Sequence, residues 1–294
     1  MKETLQLQPF DPTDPTGSLH SLWESTLETP ELMPRIMSRI NSARSLNLQS
    51  HIKSCTACNL RKFCKSPVPF SIPYDLNHSP CVIISESPSQ EDDRHSTPFH
   101  PSNPSARLLH STLASCSTPL NPYFLHCVSC RPPANRPPTP TEFKSCRPNL
   151  NSQISLLSPW LIISLGGQAI KQFHPMLGVT QDRGKFFRTI INSIPYWVLA
   201  TWSPSYVLRA IKNHTDLRFT CPTYIQFLED IQLASTAVYI AQNLGGHITD
   251  GIMCLVPHGD TKKQAPNSPN PSTSPNPPKS LYLDKLDNFE HDAF

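Results

Sequence analysis

No charge of either sign dominates this chain. Its formal charge is +3 and charged residues make up only 16%, so no strong overall field draws it to nucleic acid. Any such affinity has to come from local clusters. Long apolar runs are missing as well: no stretch approaches eighteen residues, which excludes a membrane-spanning helix. The opening MKETLQLQPF holds no apolar run of the kind a secretory leader carries. The expectation is therefore a reducing cytoplasmic setting rather than secretion, in which ten cysteines are buried small hydrophobes or metal ligands and not disulfides. Glycine supplies only 9 residues against 33 prolines. Proline fits neither helix interiors nor central strands, so the ordered core is expected to be shorter than the chain.

The organisation follows from periodicity. Residues 1–33 are polar and aperiodic and read as an extension. A helix is expected from Pro34 to His51, with Ile36, Ile40 and Leu46 at roughly helical spacing. Four short runs, Cys81–Ser85, Tyr123–Val128, Trp160–Leu165 and Trp197–Thr201, are apolar on successive residues and read as strands buried on both faces. Candidate helices lie between them at 105–115, 141–158 and 167–173, and another at 223–242. This alternation predicts an α/β domain over residues 34–245, a three-layer α/β/α sandwich with a central four-stranded parallel sheet. Residues 246–294 are expected to form a Pro/Ser/Asn-rich linker that buries nothing, followed by an acidic tail, LYLDKLDNFEHDAF, able to dock on a partner.

Four cysteines stand out: Cys55 and Cys58 as C-T-A-C, then Cys130 and Cys146 with fifteen residues between them. A close pair plus a distant pair suits either zinc or an iron–sulfur cluster. Cys64 is a spare thiol near the first pair. Cys81, Cys116, Cys127, Cys221 and Cys254 lie singly in apolar or helical contexts and read as core. In an open parallel sheet, ligands bind beyond the carboxyl ends of the strands. Those ends carry SESPSQEDDRHSTPF (residues 85–99), His126, LGGQA (165–169) and TWSPSYVLR (201–209).

These segments resemble the iron–sulfur, family 4 branch of the uracil-DNA glycosylase superfamily. The family's first motif, G-E-A-P-G-x-x-E-D-x-x-G-x-P-F, is matched without a gap by Ser85–Phe99. Its cysteine frame, including C-R-P-P-x-N-R, is matched by Cys55, Cys58, Cys130 and Cys146. L-G-x-x-A, R-G-K and P-S-Y-x-L-R are matched at 165–169, 183–185 and 204–209. The resemblance implies a 4Fe-4S cluster on those four thiols, with zinc as the rival, and hydrolysis of the N-glycosidic bond of uracil in DNA.

It also implies roles for single residues. Phe99 stacks the flipped base, Asp92 packs near its C5 edge with Asp93 beside it, and Glu86 positions water or balances charge on the sugar. His126 and Ser205 fall in the base-binding segments, and Arg131, Asn135, Arg136, Lys185 and Arg209 supply contacts to DNA. Arg147 is a further phosphate candidate.

The departures carry meaning of their own. The family's base-reading asparagine is His126, which cannot reproduce the two-sided hydrogen bonding of an amide. The histidine expected to stabilise the departing base is Ser203, a weaker donor. The motif glycines become Ser85, Ser89 and Ser96, and two extra residues, with Pro101 and Pro104, alter the rim. The chain is thus expected to be a divergent monomeric glycosylase. The alternatives are a catalytically weakened module that binds uracil or single-stranded DNA and recruits replication or repair proteins through its tail, or a zinc scaffold.

Overall fold

The computed structural model describes residues 32–71, 81–118, 120–214, 218–243, 247–249 and 252–254. The extension at 1–33 and the linker and tail at 246–294 lie almost wholly outside them. The elements run, in chain order, α1 (Leu32–Lys53), β1 (Cys81–Ser85), α2 (Gln90–His95), α3 (Pro104–Ala114), β2 (Tyr123–His126), α4 (Pro140–Leu157) and β3 (Leu161–Leu165). They continue with α5 (Gly167–Phe173), α6 (Val179–Asp182), β4 (Phe186–Ile191), β5 (Ile194–Thr201), α7 (Pro204–Lys212), α8 (Pro222–Asn243), β6 (His247–Thr249) and β7 (Ile252–Cys254).

The central sheet has five strands, not four, in the order β2-β1-β3-β5-β4. Strands β1, β2, β3 and β5 are parallel as expected, and β4 adds an antiparallel edge. The extra strand escapes a search for continuous apolar runs because Arg188 and Thr189 interrupt it, as suits an edge facing water. Its hairpin turns on Asn192 and Ser193, at φ 49° and 65°. Two left-handed residues are what a tight two-residue β-turn demands, and asparagine tolerates that conformation better than most residues. Beyond the sheet, β6 and β7 form a two-stranded antiparallel ladder with Thr249 opposite Ile252.

Alternate residues of the buried strands feed two cores. Cys81, Ile83, Ile163, Leu165 and Leu199 pack with Leu109 of α3, Val207 of α7 and Phe227 and Ile231 of α8. Val82, Ile84, Leu125, Ile162 and Val198 pack on the other face with Phe143, Leu150 and Ile154 of α4, Ile170 of α5 and Leu60 and Phe70 from the cysteine-bearing segment. Helices on both faces make the three layers that the sequence predicts. Cys81, Cys116, Cys127 and Cys221 are core residues, and no disulfide joins any of the described cysteines. The side chain of Cys254 lies outside the described ones. Among the described residues no helix is long and apolar enough to cross a membrane.

The strand order positions the site. From β1 the chain steps outward to β2 and then crosses back to β3 on the other side of β1. This reversal opens a crevice at the carboxyl ends of β1 and β3.

Candidate active site

At the end of β1 the chain turns into α2 through a capping box. Asp92 N donates to Ser89 Oγ at 3.2 Å, and Ser89 N donates back to Asp92 Oδ2 at 2.9 Å. The other oxygen, Asp92 Oδ1, accepts from His100 N at 2.8 Å. One carboxylate therefore stitches together both ends of the loop that carries Phe99. Ser96 closes α2 at φ 53°, ψ 34°, the left-handed conformation that explains why the family motif has glycine there. Phe99 is left-handed too, at φ 52°, and His110 Nε2 lies 2.9 Å from its carbonyl oxygen.

His126 ends β2 directly opposite Ser85 in the register. Its Nδ1 lies 2.7 Å from Ser85 Oγ. Its Nε2 lies 3.5 Å from Asp92 Oδ2, long for a hydrogen bond, so among the described residues this buried nitrogen has no close hydrogen-bond partner. The imidazole stacks on Phe99 with ring centroids 5.1 Å apart and planes 19° from parallel, while Phe124 tilts against Phe99. Burial pushes the Asp92 pKa up, but His126 and the amides of Ser89 and His100 outweigh it and hold the carboxyl down at about 2. Glu86, half-buried beside Ser85, goes the other way: burial raises its pKa.

Ser203 caps α7, its Oγ accepting from Tyr206 N at 3.3 Å and lying 3.3 Å from Ser205 Oγ. It sits against Gly166, which leaves β3 at φ 86°; a Cβ built there would fall 3.0 Å from Ser203 Cβ. Glycine is thus required for L-G-G-Q-A to pack on T-W-S-P-S. Trp202 stacks on Tyr206 at this corner, with ring centroids 4.9 Å apart.

Cys55, Cys58, Cys130 and Cys146 line one small cavity together with Leu60, Val128 and Asn149. Two of the sulfurs accept hydrogen bonds: Ser129 N donates to Cys146 Sγ at 3.3 Å and Asn149 Nδ2 to Cys55 Sγ at 3.5 Å. Four convergent thiols with N–H donors aimed at sulfur are a donor set that fits a thiolate-ligated cluster. Among the described residues no three such side chains close on a single point. Cys64 shares a hydrogen bond with Cys130 that lowers its own pKa and raises its partner's, but it does not line the cavity.

Asp93 ties this segment to the acid-rich loop. Its Oδ1 accepts from Lys65 N at 2.9 Å and Ser66 N at 3.4 Å. Asp92 and Asp93 thus spend their carboxylates on backbone amides and hold the site together. The basic candidates divide similarly. Arg136 forks onto Glu142 at 2.8 and 2.6 Å, and Arg147 donates to Gln172, so both brace the protein. Arg131 Nε donates to Asn135 Oδ1 at 2.8 Å, which occupies that acceptor. Among the described residues Lys185 reaches Gln181 O and Asp182 and stays exposed, as does Arg209 in the last turn of α7.

The sequence reading missed Asp230. Arg183, within R-G-K, donates two bonds to it at 2.9 and 2.6 Å, Thr201 Oγ1 adds a third at 2.7 Å, and a Cβ on Gly184 would meet its carboxylate at 2.8 Å. Nothing in the local sequence of α8 marks Asp230, because its partners lie 29 and 47 residues away.

A family model described as the uracil DNA glycosylase superfamily matches residues 73–232. The chain belongs to this superfamily. The match spans the whole central sheet, the crevice and the first half of α8. Among curated relatives, type-4 uracil-DNA glycosylases of Pyrobaculum aerophilum and Thermotoga maritima are each 30% identical. The first aligns over 55% of this chain and 83% of the relative, the second over 65% and 93%. The type-4 enzyme of Saccharolobus solfataricus is 27% identical over 55% and 76%.

Proposed function

We propose that this superfamily member is a DNA glycosylase that hydrolyses the N-glycosidic bond of uracil, and so serves base excision repair. What carries the reading is the unit at the crevice, in which Phe99, fixed by Asp92, stacks beside His126 one residue position from Glu86. An aromatic platform at a switch point can take a flipped base. Breaking the bond builds positive charge on the sugar and negative charge on the base. A half-buried Glu86, once ionised, can hold a water on the sugar's far side and face the developing cation. Ser203 and Ser205 offer hydroxyls at the α7 end of the crevice, and half-buried Arg131 with exposed Lys185 and Arg209 suit phosphates, so binding should weaken with salt.

Cys55, Cys58, Cys130 and Cys146 are the ligands we assign to a 4Fe-4S cluster. When bound it supplies structural cross-linking. Lys65, Ser66 and Asp93 carry that constraint from the cysteine segment to the loop of Phe99. The iron and acid-labile sulfide content of anaerobically prepared protein tests this: equal amounts of both are expected, and zinc alone would refute it.

The test of function is a uracil-containing oligonucleotide incubated with the protein and then treated with alkali. Strand cleavage that is lost in Phe99→Ala is the expected result. Retained affinity for uracil DNA with no abasic product would favour a binding module instead, a reading supported by Ser203 being taken up as a helix cap.

A further inference from the structure

We propose that His126 is the catalytic hydrogen-bond donor to the departing base, taking over from the Ser203 position the stabilisation of its negative charge. This rests on the uracil-excision reading above.

The geometry fixes which nitrogen carries the proton. Asp92 is ionised at neutral pH, and its Oδ2 lies 3.5 Å from His126 Nε2. A bare nitrogen lone pair facing a carboxylate is repelled, so Nε2 bears the hydrogen, and Nδ1 accepts the Ser85 hydroxyl at 2.7 Å. The imidazole is held from both sides and presents one N–H. That N–H is buried, and the acceptor it faces, Asp92 Oδ2 at 3.5 Å, is too distant to satisfy it fully. Buried donors without acceptors are uncommon, and one that persists beside an aromatic platform is a place where a ligand atom completes the pairing.

The stack says where that atom would come from. Rings in van der Waals contact lie about 3.5 Å apart in height. Centroids separated by 5.1 Å at 19° therefore leave the imidazole displaced sideways over Phe99 by roughly 3–4 Å. A base stacked on the rest of Phe99 lies in the same layer as His126, edge to edge. An in-plane N–H pointed at an exocyclic carbonyl is hydrogen-bonding geometry. Ser203 is occupied differently: its hydroxyl oxygen caps α7 and faces Ser205. The two departures from the family motif at 85 and 126 also touch each other, so they make one changed unit.

In the reaction the C1′–N1 bond breaks with both electrons going to the base, where the charge spreads onto the carbonyl oxygens. Water adds to C1′ and gives up a proton, and the base anion takes a proton from solvent. His126 donates a hydrogen bond throughout and keeps its proton.

The experiment compares single-turnover excision from oligonucleotides carrying uracil or 5-fluorouracil, whose fluorine makes the base a better leaving group. His126→Ala should slow uracil release about a hundredfold, the cost of one such donor, and 5-fluorouracil release less than tenfold. His126→Asn, which restores an N–H, should recover most of the loss. Far-ultraviolet circular dichroism and the thermal denaturation midpoint report that the variant is folded. Equal losses on both substrates, or a His126→Ala rate within threefold of the parent on uracil, would overturn the proposal and leave uracil excision standing. A parent protein that releases neither base would overturn both. Where His126→Ala does not fold, Ser85→Ala, which keeps the imidazole but removes its latch, should still slow uracil more than 5-fluorouracil; equal slowing overturns the proposal.

Discussion

Replacing Asp92 with asparagine should uncouple the stability of this protein from acid in a measurable way. The carboxyl falls from an ordinary 3.8 to about 2 in the folded state. Because the folded value is depressed, its contribution is fully present above the unfolded value and drains away as the pH falls toward 2. A gap of this size amounts to about 2.5 kcal/mol above pH 5, about half of that at pH 3, and little at pH 2. Asp92→Asn removes the titrating charge but keeps the shape. One of the amides of Ser89 and His100 is then left facing an NH2 group, which costs roughly 1–3 kcal/mol whatever the pH. Urea denaturation of both proteins between pH 6 and pH 2.5 separates the two effects, since Glu142 and the other acids titrate alike in each and cancel. The difference should shrink by about 1.5–2 kcal/mol across that range. A difference that stays constant within about 0.5 kcal/mol would refute the assignment of Asp92 as an ionised bracket. The same variant should excise uracil more slowly, since the loop it loosens carries Phe99.

Asp230→Ala should destabilise the fold by roughly 3–5 kcal/mol, because it strands a half-buried Arg183 and a buried Thr201 hydroxyl; a midpoint within a degree of the parent's in thermal denaturation would contradict this. Gly166→Ala should cost about 1–3 kcal/mol for its strained backbone and push Ser203 aside, so activity should fall further than stability; unchanged excision would count against the packing of these two turns. Glu86 has its pKa raised by burial. The acid limb of the excision rate should therefore lie above the usual glutamate value and vanish in Glu86→Gln, and a limb that survives the substitution would belong to another group.

Several features of the protein can be read along the chain because their cause is local. A strand buried on both faces must be apolar at every position, as Val82, Ile83 and Ile84 are, and helices between such strands force a three-layer sandwich. Spacing marks the four cavity thiols, the resemblance to the family's first motif marks Phe99 and Glu86, and Pro204 after Ser203 announces a capped helix. The edge strand β4 is not legible in this way, because one face of it meets water and Arg188 and Thr189 break its apolar pattern. What only tertiary structure decided is how side chains remote in sequence share atoms. Ser85, Asp92 and His126 form one chain of polar contacts across two strands and a loop, and Arg183 meets Asp230 across 47 residues. A carboxylate looks the same in a sequence whether it faces substrate or a backbone amide. Partners supplied by the fold, and the water that the fold excludes, turn Asp92 and Asp93 into struts and leave the N–H of His126 waiting for an acceptor.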